Sequence, residues 1–104
     1  MTDREAKIHE FLQDRPEDPF LHYGLAEALA ARGETAAAVE RLDVLLGLDP
    51  KYVPAFLRKG MFLVELERLD EARSTLEAGI PIAEAAGDGH AAAEMQGVLD
   101  SIEE

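Results

Sequence analysis

Cysteine is absent from this chain of 104 residues. That excludes a disulfide framework, a thiolate zinc site and a cysteine nucleophile, and leaves the redox compartment unreadable. Aromatic residues are scarce at 6%, while apolar residues reach 47% with Ala and Leu dominant. Such a composition favours helix over sheet by intrinsic propensity, and strand-like alternation is missing. No apolar run approaches the roughly 20 residues needed to span a bilayer. Met1-Thr2-Asp3-Arg4-Glu5 lacks the basic-then-apolar pattern of a signal peptide, so a cytoplasmic location is the expectation. Positive charge is short as well. Ten basic residues face 22 acidic ones, for a net charge of −12, and lysine occurs only as Lys7, Lys51 and Lys59. Residues 75–104 hold seven acids and no Lys or Arg. Phosphate backbones and anionic membranes are bound through clustered cations, so neither nucleic acid nor membrane is expected as a partner. The acidity reads as a solvated surface, or as adaptation to high salt, which shortens the Debye length to about 3 Å at molar concentration.

What is present is a repeat. Leu29 and Leu63, Ala38 and Ala72, Leu42 and Leu76, Ala26 and Gly60, and Pro16 and Pro50 are each 34 residues apart. A period of this length built from two amphipathic helices marks a unit that cannot bury its apolar face alone and must stack on a neighbour.

Helical spacing of Ile8, Phe11 and Leu12 predicts a first helix over 3–14. Arg15-Pro16-Glu17-Asp18-Pro19 ends it, with Asp18 a natural cap and Pro19 suited to a first helical position. The next helix, over 19–32, carries Phe20 or Leu21, Leu25, Ala28 and Leu29, and Gly33 suits the left-handed conformation that ends a helix. Residues 34–48 form its partner. There Ala38, Val39, Leu42, Leu45 and Leu46 are buried, while Glu40, Arg41 and Asp43 face water. After Asp49-Pro50-Lys51-Tyr52, a helix over 54–66 runs through Phe56, Leu57, Gly60, Leu63 and Val64. Its closing turn, Glu67-Arg68-Leu69, has no glycine, at a cost of about 1 kcal/mol if the left-handed geometry is kept. The helix over 70–86 contains Gly79 and Pro81, which predicts a kink or local distortion near 77–81. The last helix, 90–102, sets Ala92, Met95, Leu99 and Ile102 on one stripe. Ile8, Phe11 and Leu12 precede Leu42, Leu45 and Leu46 by one period, so the first helix matches the second helix of a hairpin and the last one caps the stack.

These residues resemble the tetratricopeptide repeat family. Its hairpins show a large residue, Leu, a small residue, a second Leu or Tyr, then Gly, Ala, an apolar residue and Pro. Repeat one supplies Leu25, Ala26, Leu29, Gly33, Ala38, Leu42, Leu45 and Pro50. Repeat two supplies Phe56, Gly60, Leu63, Ala72 and Leu76, and departs at Glu67, Gly79 and Glu84, where Gly, Ala and Pro are usual. The resemblance covers residues 19–86. The segments 18–23 and 86–90 also look like small free-standing bacterial members.

The resemblance implies an all-α, right-handed superhelical stack of antiparallel helix hairpins, about six helices with a C-terminal capping helix. As one domain over 1–104 it comprises a half-repeat helix (1–16), repeat one (19–52), repeat two (53–86) and a cap (88–104). It further implies a non-catalytic binding module without cofactor, whose first helices line a concave groove for a peptide or protein segment. Carried over by position, that lining is Phe20, Tyr23, Glu27, Leu57, Arg58, Met61 and Glu65. The alternative for Phe20, Tyr23 and Met61 is packing against adjacent helices. Of the Lys, Arg and Asn set with which some members clasp a chaperone peptide's carboxylates, only Arg58 is matched. A basic partner suits the net charge better. A structural scaffold acting as a homodimer is the competing role, since short stacks often complete their cores by association.

Chemistry finds little support. His9, His22 and His90 lack metal-ligand spacing. The adjacent acids Glu17-Asp18, Asp70-Glu71 and Glu103-Glu104 point apart on a helix and help its dipole when near a helix start. Ser74 and Ser101 lack a nucleophile elbow, and the glycines follow no phosphate-cradling pattern.

Overall fold

A computed structural model describes residues 1–103. Glu104, one of the adjacent acids considered above, lies outside the described residues. Six helices account for most of the chain: α1 (Asp3–Asp14), α2 (Pro19–Ala31), α3 (Thr35–Leu48), α4 (Val53–Glu65), α5 (Leu69–Ala85) and α6 (Gly89–Ile102). No strand occurs among the described residues, so the fold is an all-α helical repeat. The helices fall into two compact units, α1–α3 and α4–α6, divided between Pro50 and Lys51.

In the first unit α2 and α3 pack as a hairpin and α1 lies along α2. Leu25, Ala26, Ala38, Val39, Leu42 and Leu45 close the core, each at most 2% exposed. Each of the leucines, and Val39, contributes roughly 1.5–3 kcal/mol on full burial, and the two alanines less. In the second unit α4 and α5 form the equivalent hairpin and α6 covers both. Its core is Phe56, Phe62, Leu63, Ala72, Leu76, Ala83, Met95 and Leu99. Met95 and Leu99 lie on the stripe expected of α6, with Ala92 buried beside them.

Helix boundaries follow the local chemistry. Thr2 accepts from the Glu5 amide at 3.1 Å, Asp18 from that of Phe20 at 3.0 Å, and Asp88 from that of Ala91 at 3.0 Å. These caps satisfy amides that have no partner within their own helix. The turns after α2, α4 and α5 share one design. The amides of Gly33 and Glu34 donate to Ala30 and Leu29, those of Glu67 and Arg68 to Val64 and Leu63, and those of Gly87 and Asp88 to Glu84 and Ala83. This is the Schellman arrangement, which places its middle residue in the left-handed region. Gly33 and Gly87 adopt φ of 86° and 75°, and Glu67 is forced to 59°. The left-handed geometry is therefore kept without glycine.

Gly79 has a packing reason. A β-carbon there would stand 2.6 Å from Phe56 Cβ and 2.7 Å from Met95 Sδ, so α5 admits no side chain where α4 and α6 press on it. Helix α5 runs unbroken through Pro81 to Ala85, although proline has no amide hydrogen to give to the carbonyl of Glu77.

Two expectations are corrected. Phe11 does not match the burial of Leu45 one period on, being 48% exposed where Leu45 is closed off. The reason is that α1 belongs to a half-hairpin and packs chiefly along α2. Arg41 does not simply face water. It is half-buried and reaches His22.

Candidate functional site

The residues implied for the groove lie on two helices. On α2, Phe20, Tyr23 and Glu27 recur at intervals of three and four, which puts them on one face. Leu21, not Phe20, takes the core position, and Phe20 is left 71% exposed beside half-buried Tyr23 and Glu27. On α4, Leu57, Arg58, Met61 and Glu65 share a face by the same periodicity. Leu57 and Arg58 are half-buried, Met61 is 39% exposed and Glu65 is exposed. The Arg58 guanidinium lies over the buried Phe62 ring at 4.7 Å and its Nη1 reaches Met61 Sδ at 3.7 Å. That stacking holds the arginine against its own helix and orients it beside Met61.

A cleft of about 500 Å³ opens in the first unit beside Phe20, lined also by Arg4, Lys7, Ile8, Phe11, Leu21 and Gly24. Reasoning from repeats missed the α1 side of it, because period matching assigns Phe11 to a core. The available signal was the spacing of Arg4, Lys7 and Phe11, which puts cations and an aromatic ring on one helical face. A second hollow of about 370 Å³ is lined by Leu25, Leu29 and Val44 together with Glu5, His9, Arg32, Glu40 and Arg41. Its arginines are engaged. Arg32 Nε donates to Glu5 Oε1 at 2.7 Å and also lies near Glu34, while Arg41 meets His22. Glu5 is only 1% exposed. The hydrogen bond from Arg32 holds its carboxyl below the ordinary glutamate range, against the opposing effect of burial.

His9 and His22 border one hollow together with Leu12, Gln13, Pro16 and Arg41, and His90 is not among its lining. His22 is buried, its Nε2 meeting the Pro16 carbonyl at 2.7 Å and its Nδ1 meeting Arg41 Nη1 at 3.3 Å. A carbonyl only accepts and a guanidinium only donates, so this pairing fits a neutral ring protonated on Nε2. His22 therefore ties the α1–α2 connection to α3. His90 is exposed and meets Glu94 on its own helix. Among the described residues no group of three His, Cys, Asp or Glu stands close enough to hold a metal ion, and no buried polar side-chain atom lacks a hydrogen-bond partner. No helix among them is long and apolar enough to cross a membrane.

Comparison with known proteins agrees with this architecture. The tetratricopeptide repeat profile matches residues 30–94. A tetratricopeptide repeat domain protein from Salinibacter ruber, solved by NMR, is 31% identical, with 85% of this chain and 89% of that one aligned at a TM-score of 0.79. A Bordetella parapertussis protein, also solved in solution, aligns over 99% of this chain and 90% of its own at 24% identity and a TM-score of 0.85. The TPR2B domain of yeast Sti1, solved in complex with pHsp70, aligns over 95% of this chain and 79% of its own at 22% identity and a TM-score of 0.89. These last two likenesses show the fold alone. No curated protein matches the chain.

Proposed function

This chain belongs to the tetratricopeptide repeat family, and on that premise we propose that it is a non-catalytic module binding a peptide or protein segment. The binding residues are those on the exposed faces of α2 and α4: Phe20, Tyr23 and Glu27 on the first, Leu57, Arg58, Met61 and Glu65 on the second. The observation that carries this reading is the exposure of Phe20 and Met61, 71% and 39%, on helices whose other large apolar residues are at least half closed off. Aromatic, Met and Arg side chains are enriched where proteins bind each other, because they offer large contact area with adaptable packing. The Sti1 domain solved with pHsp70 is a protein of the same fold holding such a partner. The net charge of −12 favours encounter with a basic partner body.

Met61→Glu tests the reading. The substitution is exposed and leaves the core intact, so helix content is expected to stay unchanged. On an array of short peptides, sequences retained by the unaltered chain should be lost or weakened about tenfold by the variant. Retention unchanged by Met61→Glu would remove α4 from the binding surface. Sedimentation of both proteins covers the competing role. A stable dimer that Met61→Glu converts to monomer would make self-association the function of this face.

A further inference from the structure

The cleft between α1 and α2 differs in sign from the molecule around it. Its charged lining consists of Arg4 and Lys7, in a chain of net charge −12. Neither cation is paired with another described residue. Arg15, whose guanidinium lies 5.3 Å from the centre of the Phe11 ring, is offset by Asp18 at 3.8 Å and does not line the cleft, which leaves Arg4 and Lys7 as its cations. Phe11 and Phe20 are 48% and 71% exposed, so two aromatic rings stand beside these cations. The floor is left open by Gly24, where an added β-carbon would stand 3.5 Å from Ile8 Cδ1, an ordinary contact. An alanine would therefore fit there, and its absence leaves room for a guest.

We propose that this cleft seats a partner segment in which one aromatic or long aliphatic side chain is flanked by Asp or Glu. The apolar side chain enters between Phe11 and Phe20 over Gly24, and the flanking carboxylates meet Arg4 and Lys7. Charge complementarity selects this occupant. A Lys- or Arg-flanked segment meets cations on the rim, whereas an anionic lipid surface or a second copy of charge −12 brings much more negative charge against the whole chain than a few carboxylates placed at Arg4 and Lys7 do. The inference rests on the binding-module reading, and for the first unit it reverses the preference for basic partners that the net charge gives the molecule as a whole, because Arg4 and Lys7 set the local sign.

Two blocked hexapeptides test it, each with a Phe-Leu core, one flanked by two Glu on either side and the other by two Lys. Each is titrated into the isotopically labelled full chain at low salt and followed by amide chemical shifts. The Glu-flanked peptide should move the signals of Lys7, Phe11, Phe20 and Gly24 and bind about tenfold tighter than the Lys-flanked one. Its affinity should fall as salt is added. Arg4→Glu/Lys7→Glu should abolish or reverse the preference. Gly24→Leu, which fills the floor with both cations intact, should weaken binding of the Glu-flanked peptide about as much. Arg4, Lys7 and Phe20 are exposed, so unchanged circular dichroism is expected for the charge variant and confirms that it folds. Equal or tighter binding of the Lys-flanked peptide, or no binding of the Glu-flanked one, overturns the proposal. Shifts confined to Leu57 and Met61 overturn it too, yet leave the general reading standing. If peptide retention also ignores Met61→Glu, both fall.

Discussion

Glu67 is the residue at which sequence and backbone disagree. Its φ of 59° is the left-handed conformation that Gly33 and Gly87 occupy at the equivalent turns, and an L side chain there costs about 1–2 kcal/mol. Glu67→Gly is expected to stabilise the chain by about 1 kcal/mol, part of the relief being offset by the greater freedom of glycine in the unfolded chain. The check is the urea midpoint. Gly33→Ala isolates the same strain in reverse, because nothing lies within 4 Å of the added carbon, and should destabilise by about 1 kcal/mol. Gly79 behaves differently. Gly79→Ala gains helix propensity but drives a methyl into Phe56 and Met95, and a net loss of about 1–2 kcal/mol is expected in the same measurement. The departure at Gly79 was visible in the sequence as a break in the repeat pattern. The two side chains that require it were not, because one comes from α4 and the other from α6.

At the scale of elements, helix starts and stops were legible almost to the residue. They depend on neighbours in the chain: Asp18 before Pro19 and Gly33 after α2. Asp18→Ala removes the bond to the Phe20 amide and is expected to cost about 1 kcal/mol by thermal melting. The anchoring of α1 was not legible. Thr2 and Glu5 have the spacing of a local capping pair, yet Glu5 reaches across 27 residues to Arg32 at the end of α2. A carboxyl held below the ordinary range in the folded state contributes stability that is whole above its unfolded value and is lost as pH falls through the folded one. Unfolding free energy should therefore fall on acidification, with Glu71, held down by Arg68, adding to the same limb. Glu5→Gln is expected to be less stable than the unaltered chain at neutral pH and to lose less between neutrality and about pH 3, as read from urea midpoints at the two ends.

For the whole molecule the charge is divided evenly, eleven acids and five Lys or Arg in residues 1–50 and the same numbers in residues 51–104. No half is spared self-repulsion. Salt screens that repulsion more than it weakens a pair as close as Arg32 and Glu5, so melting temperature should rise from dilute buffer to molar KCl. A flat or falling curve would show that the excess acid is well solvated and carries no penalty.

The sequence by itself determined the helices, their pairing into hairpins and the family. Each of these rests on periodicity and on short-range chemistry, which a chain displays one residue after another. Tertiary structure decided which apolar residues were left over. Leu21 turned inward and Phe20 outward, and Phe11 lost the cover that Leu45 enjoys. Residues on one helix could not reveal this, because exposure is set by what the neighbouring element brings. For α1 that neighbour is α2, with Gly24 offering no side chain to close the cleft between them.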